Sequence, residues 1–566
     1  MLILSVIVGI LVGLGAVIIK NLVHLIQSYL ENLTILEYNF LYLIYPAIGV
    51  LLVVVFIKYI NKRPVRHGIP SVLYAISRQR GVMHQHNLYS SIVTSALTVG
   101  FGGSVGLEGP SVATGAAIGS NLGRVLHLNY KQVILLLGCA SAGAMSAIFK
   151  APIAAVVFAL EIIMLDLTVV AIVPLLISSA TAALTSYLFL GQNYLYSFQI
   201  EQPFLMAHLP YFLLLGILTG FVSLYFIRIY KFITKIFDSL DNPYKKWILG
   251  VSVLGILIFI FPSLYGEGYE TINQALRGNY GYLFNNTLYE GFRDNLYITY
   301  MLFMLILLFK VVAASVTFGS GGIGGMFAPT LFVGANTGLF FVNLLNHTGL
   351  DLPQSNFALV GMAGLIAGVL QAPLTAIFLI AEISGGYQLF MPLMIVATIS
   401  FATIRIFESS SVYTYQLAKR GELMTHHKDR AVLMMMKVED LIETDFKTVH
   451  PEDTLGNLVE VITHAHRNIF PVVDDDNTFR GIVKMDDIRN IMFNHELYEN
   501  TYVRDLMFMP QNVIDPEDPM EEVARKFQVS GRFNIAVISK GKYLGFISRA
   551  RLFSAYRKML RDFSED

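Results

Sequence analysis

Long stretches with almost no charge constrain this chain before any other feature does. Met1 to Ile26, Asn39 to Ile60, Leu209 to Ile227 and Tyr297 to Phe318 are each nearly continuous apolar runs. Each can cross a hydrocarbon core, which takes roughly 20 helical residues. In lipid the backbone must satisfy its own hydrogen bonds, and runs of this length do so as helices. Over 566 residues the chain is 55% hydrophobic and only 14% charged, where a soluble domain carries about a quarter charged residues. The expected class is an all-α polytopic membrane protein.

The formal net charge is zero, but its placement is informative. The loop Gln27 to Asn39 carries Glu31 and Glu37 and no Lys or Arg, whereas the next carries Lys58, Lys62, Arg63 and Arg66. Positive charge favours the cytoplasmic side, so the second loop and the N-terminus are expected inside. The first segment lacks the basic start of a signal peptide and reads as a retained membrane helix. A chain that begins within such a helix is compatible with a longer natural N-terminus. The single cysteine, Cys139, excludes an internal disulfide framework. No basic stripe suits nucleic acid, and no metal cluster, redox-cofactor motif or nucleophile–base arrangement points to an enzyme. His426 and His427 sit in a charged linker and read as solvated.

Composition changes between Tyr413 and Arg430, where charge rises to soluble levels. This divides the chain into a transmembrane part, 1–425, and a soluble part containing segments 436–495 and 501–560. Each part repeats itself. Gly106-Leu-Glu-Gly-Pro-Ser-Val-Ala-Thr-Gly-Ala116 matches Gly325-Met-Phe-Ala-Pro-Thr-Leu-Phe-Val-Gly-Ala335, and Gly100 and Gly103 match Gly319 and Gly322. In the same order, Ala151-Pro-Ile-Ala-Ala-Val-Val-Phe-Ala-Leu-Glu161 matches Ala372-Pro-Leu-Thr-Ala-Ile-Phe-Leu-Ile-Ala-Glu382. Two ordered matches imply duplicated halves with a site at their interface; the sequence leaves open whether they are parallel or inverted. The soluble repeat has an interval of about 65 residues: Val438-Glu-Asp-Leu441 matches Val503-Arg-Asp-Leu506, and Pro451-Glu-Asp453 matches Pro516-Glu-Asp518. Each copy reads as a helix (Thr454 to Ala465; Met520 to Gln528) followed by two apolar strands.

Gly68 to Ile76, Glu108 to Leu122 and Met326 to Leu339 are opened by Gly and Pro and read as too short or too broken to span comfortably. A helix that starts inside a membrane leaves free N–H groups and a partial positive charge, for which an anion is the natural occupant. Tight turns and close helix contacts are the alternative for any one such cluster; three of them, two related by the repeat, favour the anion. Glu108 is a carboxylate at membrane depth, where an ionisable group marks function by default.

These motifs give the chain a recognisable likeness. The membrane part resembles the CLC chloride channel and transporter family over nearly its whole length, and the soluble part resembles a tandem CBS pair. Gly106-Leu-Glu108-Gly109-Pro110 resembles the family's gating-glutamate motif, with Leu107 where Arg or Lys is usual. Gly325-Met326-Phe327-Ala-Pro329 resembles its second-half motif. Arg66-His67-Gly68-Ile69-Pro70 resembles its Gly-Ser-Gly-Ile-Pro stretch, and Tyr413 stands where the family has a pore-lining tyrosine. The resemblance implies a homodimer with one pore per subunit, the CBS tandem in the cytoplasm, and chloride and protons as transported ions; the brevity of the chain points to a bacterial or archaeal plasma membrane.

It further implies that Glu108 exchanges places with an anion when protonated, that Met326 and Phe327 offer backbone N–H groups, and that the Tyr413 hydroxyl is a further donor. His67 replaces a serine that donates to the anion; a neutral imidazole retains one donor, and the alternative is a histidine that faces the cytoplasm without a ligand. Ile162 replaces an inner glutamate that carries protons in the family's exchangers. Exchange is expected on the intact Glu108, with passive conduction as the alternative and a non-conducting membrane-anchored sensor as the remote one. Glu161 and Glu382 read as helix-end or interface carboxylates. In the tandem pair, the usual ribose contacts are a Ser or Thr followed three residues later by Asp; the first copy has Lys484 and Asp487, the second Ser548 and Arg551. Each keeps half the pattern, which leaves an adenine nucleotide at Asp487 or Ser548 open beside a structural, dimer-bracing role, and no other cofactor is expected.

Overall fold

The computed structural model describes all residues except 33–39, 66–67, 164–168, 192–203, 279, 285–286, 288, 294, 386, 420–432, 434–435 and 565–566. It divides into two compact units, Met1–Leu423 and Met424–Asp566. Among the described residues of the first unit, nine helices are long and apolar enough to cross a membrane. They include the expected runs, seen as Leu2–Asn32, Leu41–Val55, Leu209–Asp238 and Leu296–Gly319. One expectation is corrected. The segment beginning at Met326 continues as an unbroken 20-residue helix, Phe327–Asn346, and is therefore long enough to span. Its Gly and Pro residues fall at its start or pack against a neighbour, and so do not interrupt it.

That packing recurs in both halves. The helix Glu108–Val125 lies on Tyr130–Phe149, and Phe327–Asn346 lies on Gln354–Val369. A Cβ added at Gly115 or Gly119 would press on the backbone of Ala140 or Leu136, and one at Gly334 or Gly338 would press on Gly361 or Phe357. Glycines four apart let the backbones approach where lipid supplies no hydrophobic drive.

The contacts between the halves are reciprocal. Ser104 N–H donates to Thr317 Oγ1 at 3.3 Å, and Ile323 N–H donates to Thr98 Oγ1 at 3.0 Å. Glu161 accepts the N–H groups of Leu374 and Thr375 at 3.1 and 2.8 Å, with the Thr375 hydroxyl at 2.6 Å. Its repeat counterpart Glu382 accepts those of Ile153 and Ala154 at 3.0 and 2.7 Å. Each carboxylate near the C-terminus of one helix therefore caps the N-terminus of the matching helix in the other half. Pro152–Phe158 and Pro373–Ile383 consequently run antiparallel, the relation expected of an inverted repeat. The residues preceding these helices share their conformation too, with Lys150 and Gln371 at φ 57° and 56°.

In the second unit each copy carries one antiparallel hairpin: β1 (Ile469–Val473) with β2 (Phe479–Lys484), and β3 (Asn534–Ser539) with β4 (Lys542–Ser548). The preceding helices are Leu455–Thr463 and Met520–Ser530. Three consecutive residues are buried in each strand, so both faces are covered: Phe470, Val472, Val483, Ile535, Val537 and Ile547 pack on one side, and Phe479, Ile482, Ala536 and Phe546 on the other. The copies interlock through the same position in each: Glu443 pairs with Phe546, and Phe508 with Ile482.

Candidate functional site

Three helix starts converge inside the first unit. Tyr130–Phe149 opens with a capping box from Asn129 and Gln132, and Asn242 and Asn295 cap two further helices. By contrast, Glu108–Val125 and Phe327–Asn346 begin at Leu107 and Met326 with no side-chain cap. Apart from the Leu107 N–H, which Glu267 Oε1 accepts at 3.1 Å, the first N–H groups of these helices have no cap from the preceding side chain and can meet another acceptor. Glycine makes the convergence possible: a Cβ at Gly68, the first residue of Gly68–Gln79, would overlap the Gly109 backbone. Gly106 and Gly325, equivalent in the two repeats, pair as an antiparallel bridge, with N–H···O distances of 2.9 and 2.7 Å.

Glu108 is fully buried in the first turn of its helix. Its Oε1 accepts the Tyr269 hydroxyl at 2.5 Å. Its Oε2 lies against Gly106 and Gly325; the N–H groups of Glu108 and Ala328 face the carboxylate, but neither closes a hydrogen bond onto Oε2. Beside it a cavity of about 20 Å³ is lined by Gly68, Ile69, Pro70, Gly109, Gly325, Met326 and Tyr413, with Tyr230, Phe318, Gly324 and Val412. Such a space holds about one water-sized particle. The Tyr413 hydroxyl is buried without a hydrogen-bond partner. The turn before its helix is fixed by Ser411 and Thr414, each of whose side chains takes the other's backbone N–H.

The structure thus brings Gly68, Ile69, Pro70, Gly109, Met326 and Tyr413 together around one cavity, with Glu108 and Gly106 adjoining. Pro110 is buried in the first turn of the Glu108 helix, and Phe327 is buried with its ring 5.2 Å from that of Phe149. His67 lies outside the described residues, as do His426 and His427. Ile162 is half-buried in a wider π-helical turn, Ala159–Ile163.

Sequence reasoning missed Tyr230, Tyr269, Glu267, Lys20 and Lys310. Three of these carry the same signal that singled out Glu108: Lys20 and Lys310 interrupt apolar runs, and Glu267 sits between two such helices. In the soluble unit Asp487 is exposed. The Ser548 hydroxyl donates to Glu443, whose other oxygen accepts Arg467 at 2.7 Å. Ser548 and Asp487 therefore stand in different surroundings.

Comparison with known proteins fits this geometry. The sequence profile of the family described as voltage gated chloride channel matches residues 48–405. The chain belongs to that family. Two CBS domains match residues 438–494 and 503–558. A ClcB-like chloride channel protein of Ralstonia nicotianae is 30% identical over 396 residues, covering 67% of this chain and 86% of that protein. An H(+)/Cl(-) exchange transporter, ClcA, of Vibrio cholerae is 28% identical over 435 residues, covering 73% and 88%. Among solved structures, a slow cyanobacterial Cl-/H+ antiporter shares the fold at TM-score 0.64 and 22% identity, over 74% of this chain and 97% of that one. A eukaryotic CLC transporter does so at TM-score 0.62 and 18% identity, over 97% and 98%. The CLC fold, its membrane location and the CBS pair agree with the sequence reading.

Proposed function

We propose that this protein carries chloride across the membrane in exchange for protons, through one pore in each subunit of a homodimer, with Glu108 as the gate. The observation that carries the reading is the position of the Glu108 carboxylate, buried between two uncapped helix starts and next to the cavity lined by Tyr413. Uncapped N-termini stabilise an anion, and a carboxylate and a halide compete for the same N–H groups. While ionised, Glu108 fills that place itself. Once protonated it loses most of its attraction to the helix ends, and an anion held by the Met326 and Phe327 N–H groups and the Tyr413 hydroxyl can take it over. The exchange of a proton-bearing side chain for an anion ties the two movements together. Relatives whose names include proton–chloride exchange support the coupling.

Ile162 favours a second reading, passive conduction, because an apolar side chain cannot pass protons inward. Chloride efflux and proton influx recorded together in vesicles containing the purified protein separate the two. A chloride gradient that drives protons uphill supports exchange, and one that moves no protons leaves conduction. Glu108→Gln, a neutral mimic of the protonated acid, is expected to carry chloride with no dependence on pH and no proton movement. Proton pumping by that variant would remove Glu108 from the gate.

A further inference from the structure

The turn Gly266–Tyr269 has no part in the motifs read from the sequence, yet it contacts both the gate residue and the backbone just before it. Tyr269 donates its hydroxyl to Glu108 Oε1 at 2.5 Å. Two residues earlier, Glu267 Oε1 accepts the N–H of Leu107, the residue from which the Glu108 helix starts, at 3.1 Å. The turn is itself clamped. Lys310, fully buried in Leu296–Gly319, donates to Gly266 O at 2.9 Å and lies over the Phe332 ring at 4.8 Å. Gly268, at φ 87°, passes so close to Phe332 that a Cβ would press on its ring. Lys20, anchored on Ile148 O at 2.7 Å, faces Glu267 from the N-terminal helix, as Lys310 does from its own.

We propose that this turn is a latch on the gate: Tyr269 holds the ionised Glu108 carboxylate in its seated position, and Glu267 holds the start of the Glu108 helix through the Leu107 N–H. The inference rests on Glu108 being the gate. Around the Glu108 carboxylate stand Tyr269 and Glu267 on the turn, Lys20 on the first helix and Tyr413 on Val412–Lys419. A donor to the charged form favours that form. Tyr269 therefore acts on the charge state of the gate, whereas Glu267 acts on the backbone from which the gate helix starts. Tyr269 and Glu267 are positioning residues, because neither lines the cavity assigned to the anion.

The test is the pH dependence of chloride efflux from vesicles containing the full chain, at equal pH on both sides, for the wild type, Tyr269→Phe, Glu267→Gln and Glu108→Gln. Loss of the hydroxyl removes a hydrogen bond to a charged group and is expected to move the midpoint up by about one pH unit. Glu267→Gln keeps an acceptor for Leu107 N–H and is expected to keep the wild-type midpoint. A purely structural loss lowers the rate at every pH and leaves the midpoint in place. A wild-type midpoint in Tyr269→Phe, with Glu108→Gln insensitive to pH, overturns the latch and spares the gate. An unaltered pH response in Glu108→Gln overturns the gate and the latch with it.

Discussion

At the scale of single residues, Gly106 and Tyr413 make sharp and separable predictions. A methyl group at Gly106 would overlap Glu108 Oε2 and crowd Ala328. Gly106→Ala is therefore expected to unseat the carboxylate while leaving the cavity residues in place. Chloride efflux in this variant should persist at alkaline pH, where an ionised, seated Glu108 is expected to close the wild type; strong closure of the variant at alkaline pH would show that the carboxylate does not sit where the geometry puts it. Tyr413 has a buried hydroxyl with no partner, the arrangement expected of a donor awaiting an acceptor. Tyr413→Phe removes the donor without opening a hole. It should weaken chloride binding by about fivefold, or roughly 1 kcal/mol, in calorimetric titration. Unchanged affinity would reduce Tyr413 to a lining residue. Glu108 was legible from the sequence because a charge in an apolar setting stands out, and Tyr413 because it stands where the resembled family has a pore-lining tyrosine. Tyr269 was not, since a tyrosine near the end of a membrane segment is ordinary and only the folded turn brings it to Glu108.

Among the elements, the paired short helices are held by charge as well as by packing. Glu161 caps Pro373–Ile383 with three hydrogen bonds, and Glu382 caps Pro152–Phe158 with two. Neither helix has a cap from the residue just before it. Removing a cap costs about 0.5–2 kcal/mol, and a lost bond to a charged acceptor lies toward the upper end of that range. Glu161→Ala is expected to destabilise the membrane unit by about 2 kcal/mol and Glu382→Ala by about 1 kcal/mol, seen as lowered unfolding midpoints in detergent. The order of the two is the test, because Thr375 contributes a hydroxyl that its counterpart Ala154 lacks. Equal losses would mean that burial outweighs the hydrogen-bond count. The sequence carried the repeat, but it could not orient it: Glu161 and Glu382 are matching letters whichever way the halves run. Antiparallel orientation emerged only when each carboxylate was found on the other half's helix.

For the whole molecule, the legible part was what composition and periodicity carry: apolar runs, a change to soluble composition and two internal repeats. The hidden part was long-range. No local pattern links Lys310 to Gly266 or Glu267 to Leu107, because those contacts join segments that meet only after the helices have packed. The same distinction bears on stability. The large apolar cluster running from Val8 to Leu417 lies within residues 1–423, and the clusters around Val523 and Leu455 lie within 424–566. Each unit therefore has a core of its own, and the full chain is expected to unfold in two transitions, since cooperativity follows the core. The soluble transition should be acid-sensitive. Burial opposes the Asp518 charge, but the Lys526 ammonium at 2.6 Å and the Asp515 N–H at 3.0 Å outweigh it and hold the carboxyl below its ordinary range. A carboxyl depressed in the folded state adds stability above its unfolded pKa, about 3.9, and that contribution is lost as pH falls through the folded value. Calorimetry on the full chain should then show Asp518→Asn lowering the soluble transition at neutral pH and flattening its fall in acid, with the membrane transition unmoved. Glu161→Ala should do the reverse, lowering the membrane transition alone. If either substitution shifts both transitions together, the two cores unfold as one.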